Sequence, residues 1–137
     1  MMNKEQFLAK CSNIFEPVVF RTILERALLV SEKSQSYGFL AFEDNLDNTR
    51  IGNRDIFEYG LQLCIYGYGY EPKMIEKILS NIIKQEKDET AILLKNIKAE
   101  AVLHIKAGTN SRLLILILNC YTNIPLDDPL MKKIFED

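Results

Sequence analysis

The chain has one histidine, His104, and three cysteines, Cys11, Cys64 and Cys120, the residue types from which many catalytic and metal sites are built. His104 could act as a general base with Glu100, one helical turn earlier on the same segment, and the chemistry would be of a small hydrolase type. A metal site would need a second imidazole or cysteines at paired ligand spacing, and the sequence has neither. His104 also follows Ala101 by three residues and Ile97 by seven, beside an apolar stripe, which favours a partly buried packing histidine. A nucleophilic Cys120 would need a nearby base and a lowered pKa. Its place after the apolar run Leu113–Leu118 makes a core cysteine the simpler reading. Three widely spaced thiols among apolar residues suit reduced, buried cysteines in a cytoplasm better than a disulfide framework.

Two further clusters carry possible binding chemistry. Gly67-Tyr68-Gly69-Tyr70 ahead of Pro72 has the outline of a phosphate turn, in which free N–H groups at a helix N-terminus hold an anion. The Lys-Ser/Thr pair and the preceding strand of the nucleotide fingerprints are missing, and Glu71 puts negative charge where the anion would sit. A tight inter-helix turn is expected, with Tyr66, Tyr68 and Tyr70 available as interface aromatics. Glu43, Asp44 and Asp47 form an acidic cluster at the end of a helical segment. Negative charge past a helix C-terminus opposes the macrodipole, a small cost that points to another use. A contact with a basic protein surface would be that use, with an ordinary solvated turn as the alternative, and these three are the candidate partner-binding residues. No catalytic residue, cofactor or metal is expected.

The elements that position these groups read as helices. The 137 residues suit a single domain over 1–137, and 47% hydrophobic with 26% charged residues is enough for a packed core. A net charge of −2 argues against nucleic acid or anionic lipid as a partner. The longest purely apolar run, Leu113–Leu118, is far short of the ~20 residues that membrane insertion needs. Lys4, Glu5 and Lys10 interrupt any secretory signal, and the untagged sequence from Met1 reads as a complete chain.

A short helix is expected over Asn3–Phe15, and a second from Pro17 to about Gln35 with Phe20, Ile23, Leu24, Ala27 and Leu28 on one face. Further turns at Phe39–Leu46 and a loop at Asp44–Gly52 follow. Asn53 or Asp55 caps the next helix, which carries Ile56, Phe57, Gly60, Leu61 and Cys64. The pairs Met74/Ile75, Ile78/Leu79 and Ile82/Ile83 form the clearest stripe, and apolar spacing resumes from Leu93 to Ile105. A single helix from Pro72 to Ala107 would be ~54 Å long, so it either breaks near Gln85–Asp88 or projects toward a partner. Gly108 ends it, Thr109–Ser111 caps another helix through Tyr121, and Asp127 or Asp128 starts a last one before Pro129. The expected fold is an all-α, compact bundle of five to six helices with one long helix. Leu113–Leu118, apolar on every side of a helix, is expected to be buried, in part against a second copy, which implies a homodimer.

The stretch Leu28–Ile83 resembles the cytoplasmic region of flagellar stator subunits of the motility protein A type. Leu29-Val30-Ser31-Glu32-Lys33 followed by Gly38-Phe39-Leu40-Ala41-Phe42-Glu43-Asp44 is similar to that family's helix ending in Gly, Leu-Leu-Ala-Leu-Glu and acidic turn. Asp55-Ile56-Phe57, Gly60-Leu61-Gln62-Leu63, Gly67, Glu71-Pro72 and Ile75…Ile78-Leu79 resemble its second block. The resemblance implies a cytoplasmic module at the inner face of the membrane that contacts rotor switch or stator proteins, with Glu43 at the position of an interacting acid. Gln35 stands where the family has an interacting Arg, Tyr66 replaces an Asp, and the membrane helices have no counterpart. The expected function is therefore a non-catalytic, cytoplasmic protein-interaction module of stator-like type. A general helical adaptor unrelated to motility is the alternative, and an enzyme using His104 a minor one.

Overall fold

The computed structural model describes residues 17–39, 55–66, 71–122 and 124–135. Among these the chain forms six α-helices and no strand: α1 (Pro17–Tyr37), α2 (Ile56–Tyr66), α3 (Pro72–Lys84), α4 (Glu89–Ala107), α5 (Ser111–Thr122) and α6 (Pro129–Phe135). The all-α bundle expected from the sequence is the observed one. The expected helix at Asn3–Phe15, the turns and loop beyond Phe39 and the glycine–tyrosine turn at 67–70 lie outside the described residues.

Helix α1 buries Phe20, Ile23, Leu24, Ala27, Leu28 and Ser31, the three-and-four spacing of one continuous face. It runs two residues past Gln35, because Gly38 supplies the left-handed stop: its φ is +80° and its N–H donates to the Ser34 carbonyl at 2.8 Å. Asp55 starts α2, accepting the Phe57 and Glu58 N–H groups on one carboxylate oxygen at 2.7 and 3.1 Å. Arg26 of α1 binds the other oxygen at 2.9 Å, reaches Glu58 at 3.3 Å, and lies 4.5 Å from the centre of the Phe57 ring. Burial alone would raise the Asp55 carboxyl, but Arg26 and the capping N–H groups outweigh it and hold it below the ordinary range.

Of the two outcomes expected for Pro72–Ala107, a break near Gln85–Asp88 or one long projecting helix, the chain takes the break, and no single long helix spans this stretch. The chain turns at Gln85–Asp88, where no apolar side chain could be buried to hold a continuous rod. The Gln85 and Glu86 N–H groups close the end of α3 on the Ile82 and Ile83 carbonyls, and Asp88 caps α4 by accepting from Ala91 at 2.9 Å. Glu86 braces the corner by accepting from the backbone of Lys87 and Asp88 and pairing with Lys95 at 3.0 Å. Helix α3 therefore folds back on α4, burying Ile75, Leu79 and Ile83 while Met74 stays half-exposed.

Helix α4 packs against α1, α2, α3 and α5. Its buried residues Leu93, Asn96, Ile97, Ala99, Ala101, Val102 and Ile105 are distributed around most of its circumference at 100° per residue. Buried Asn96 satisfies its amide on the Ile92 carbonyl at 2.8 Å. Within the chain helix α5 is covered only in part. Leu114, Ile115, Leu118 and Tyr121 are buried, whereas Leu113 and Leu116 remain substantially exposed.

One close helix crossing is at Gly60, which is buried in α2. A Cβ there would stand 2.7 Å from a methyl of fully buried Val102. Gly60→Ala gains up to about 1 kcal/mol of helix propensity but forces an overpacked contact costing about 1–3 kcal/mol. The expected outcome is a lower denaturation midpoint for Gly60→Ala. In a Val102→Ala background the penalty shrinks, because the methyls at 2.7 and 2.8 Å are gone and only the Cβ at 3.1 Å remains against the propensity gain. Thermal or urea unfolding of the four proteins in this cycle measures both effects.

Candidate interaction surface

His104 occupies the last turn of α4. Gly108 ends the helix in the left-handed region, and the Thr109 N–H returns to the His104 carbonyl at 3.0 Å. This geometry brings the Thr109 hydroxyl 3.1 Å from His104 Nδ1, while Nε2 lies 3.7 Å from Glu100. The Tyr121 phenol of α5 is raised by its burial and then by a hydrogen bond to Glu100. His104 and Glu100 thus lie side by side on α4, with Thr109 of the corner bonded to His104 and Tyr121 of α5 to Glu100. None of the three grooves described below is lined by His104 or Glu100.

The same corner is tied to α1. Gln35 donates to the Thr109 carbonyl at 2.8 Å, and the Ser31 and Ser111 hydroxyls share a buried hydrogen bond of 2.7 Å. The Gln35 side chain is therefore engaged within the chain.

The cysteines divide. Cys64 is fully buried in α2, and burial pushes its thiol up to about 11. Cys120 corrects the expectation of a core cysteine, because it is exposed on α5 with its thiol donating to the Leu116 carbonyl at 3.4 Å. The apolar run that precedes it turns only part of its surface inward, and Cys120 falls on the outward part with Leu113 and Leu116. Cys11 lies outside the described residues, as do the acidic candidates Glu43, Asp44 and Asp47.

Sequence reasoning missed the feature that shapes the surface. The Asp128 side chain is buried, accepts hydrogen bonds from Arg21 Nε at 2.8 Å and from Nη2, and also accepts the Leu130 N–H at 3.0 Å. One carboxylate thus caps α6 and fastens it to the first turns of α1. The Arg21 guanidinium holds the Asp128 carboxyl below its ordinary range. The only sequence signal was the Asp-Pro helix start, which gives the cap but not a partner 107 residues away. Asn119 fixes the approach to α6 by exchanging both hydrogen bonds with the Ile124 backbone, at 2.8 and 3.0 Å.

Pinned there, α6 sinks Leu130, Met131 and Ile134 into the core and leaves a groove on each side. Toward α1 the groove is lined by Glu25, Leu28, Leu29, Pro129, Leu130 and Lys133. Toward α5 it is lined by Leu116, Leu126, Asp127, Met131, Lys132 and Phe135. Leu29 is 66% exposed, Leu126 68%, and Leu116 and Phe135 40% each. A third, polar groove runs along α3 past Lys73, Glu76, Lys77, Ser80, Asn81 and Lys84, the alternating charge of a solvated helix face.

Among the described residues no group of three His, Cys, Asp or Glu side chains could hold a metal ion, and no helix is long and apolar enough to cross a membrane. No family model, curated protein or solved structure matches the chain.

Two outcomes follow from this geometry. In dilute Cys11→Ser protein, a thiol reagent is expected to label Cys120 rapidly and Cys64 only as the chain unfolds. Equal rates at both thiols by mass spectrometry would contradict the packing of α2. For Asp128, a carboxyl depressed in the native state stabilises the fold above its unfolded value of about 3.9. That stability is lost as pH falls through the lower native value. Asp128→Asn is therefore expected to be less stable than the wild type at neutral pH, with the gap narrowing below about pH 4. Urea midpoints across pH read this directly.

Proposed function

We propose that the chain is a non-catalytic protein-interaction module that resembles the cytoplasmic region of flagellar stator subunits and works by contacting rotor or stator proteins. The observation that supports an interaction role is the apolar surface around α6, where Leu29, Leu116, Leu126 and Phe135 stand out between charged neighbours. Exposed apolar side chains gathered at a groove with a polar rim are the composition of a recognition surface. The motor context rests on the resemblance over Leu28–Ile83 and on Glu43 at the interacting acid's position.

A second reading, a helical adaptor unrelated to motility, is favoured by Gln35. A rotor contact of the family's kind pairs an arginine with the acid, and here that position is neutral and bonded to Thr109 within the chain.

The two readings part in a binding titration and a deletion. As a stator-like module, the purified chain binds the rotor's switch protein, Glu43→Lys weakens that binding at least tenfold, and deletion impairs swimming. As an adaptor it shows no switch-protein binding, and the deletion strain swims normally. Switch-protein binding that ignores Glu43→Lys would remove the acidic cluster from the contact.

A further inference from the structure

We propose that the groove between α5 and α6 is occupied by a second copy of this chain, forming a two-fold dimer; this names a partner for the interaction surface described above and rests on that reading. The floor of the groove is Met131, fully buried, and its walls are Leu116 of α5, Leu126 of the connecting turn and Phe135 at the end of α6. Leu113 lies one turn before Leu116 on the outward side of α5 and lengthens the apolar strip. A strip of leucines and one phenylalanine around a fixed helix gives an interface core.

The rim identifies the occupant. Asp127 stands just ahead of α6 and Lys132 within its last turn, both exposed and both lining the groove. Among the described residues neither side chain has an ion-pair partner. An acidic partner would be repelled at Asp127, a basic one at Lys132, and an anionic membrane requires a rim of one positive sign. A surface that carries both signs in the reverse order satisfies the two charges together. A second copy related by a two-fold axis is such a surface, since a two-fold interface sets residue i against j and j against i. With the two α6 helices antiparallel, each Asp127 meets the other copy's Lys132. The arrangement also brings each helix's positive end toward the other's negative end.

The rim provides the test. Sedimentation velocity across the micromolar range is expected to show a monomer–dimer equilibrium for the wild type. Leu126→Glu should shift it to monomer with helicity unchanged, because Leu126 is mostly exposed within the chain. Asp127→Lys and Lys132→Asp should each weaken dimerisation about tenfold, through like charges facing across the axis, and the double exchange should restore it to within about threefold. These two positions are exposed, so the charge cycle stands even if the Leu126 variant folds poorly. A strict monomer at every concentration overturns the dimer, as does a dimer indifferent to all four variants. A monomer that binds another protein in a Leu126-dependent manner also overturns the second copy, while leaving the interaction module itself intact.

Discussion

Helix α4 cannot exist in water alone. Its buried residues run around its circumference rather than along one stripe, so it has no face to give to solvent over its central turns. Four other helices supply the cover, and each does so by a different local means. Helix α3 is folded back by the Gln85–Asp88 corner, α2 comes close because Gly60 removes a side chain at Val102, and α5 follows directly from the Gly108 stop. Helix α1 is drawn across the end by Ser31, Ser111 and Gln35. The bundle is the set of solutions to one burial problem.

Once α4 is enclosed, α6 is surplus to its cover and must be held by something else. Three apolar side chains on seven residues give it a partial footing, and isolated helices of that length are unstable in water. The Arg21–Asp128 pair supplies the missing fixation at a buried carboxylate whose lone pairs are shared between guanidinium and backbone. Because the anchor lies at the N-terminal end of α6, the helix stands as a ridge between α1 and α5. The leucines that flank it are consequently left in open grooves.

Much of this architecture was legible in the sequence, and the parts that were not share a cause. Caps and stops are local: Gly38, Asp55, Asp128 and Gly108 act within a few residues of themselves, and the helix ends beside these four were placed closely from such signals. Faces are local too where spacing is regular, as in α1. Periodicity fails where apolar residues outnumber the positions the core can take. In Met74–Ile83 every pair offered two candidates and the fold buried one member more deeply than the other, and in Leu113–Leu118 the run alone did not show that Leu113 and Leu116 would face outward. Cys120 was misplaced for that reason. The break at Gln85–Asp88 was visible as one of two outcomes. The Arg21–Asp128 tie was invisible because nothing local to either residue reports a partner on another helix.

The two proposed contact surfaces differ in their chemistry. A stator-like contact is written in charge, with an acid facing a basic partner, and it would be weakened by salt and tolerant of small displacements. The α6 grooves are written in shape, with leucine and phenylalanine side chains whose burial is worth about 1.5–3 kcal/mol each and depends little on salt. Asp127, Lys132, Glu25 and Lys133 at their edges carry two charges of each sign, too balanced to steer a partner from a distance. The two kinds of surface need not compete, because they act at different ranges. A module that used both would recognise one partner by its field and another by its fit, and the salt dependence of each association would separate them.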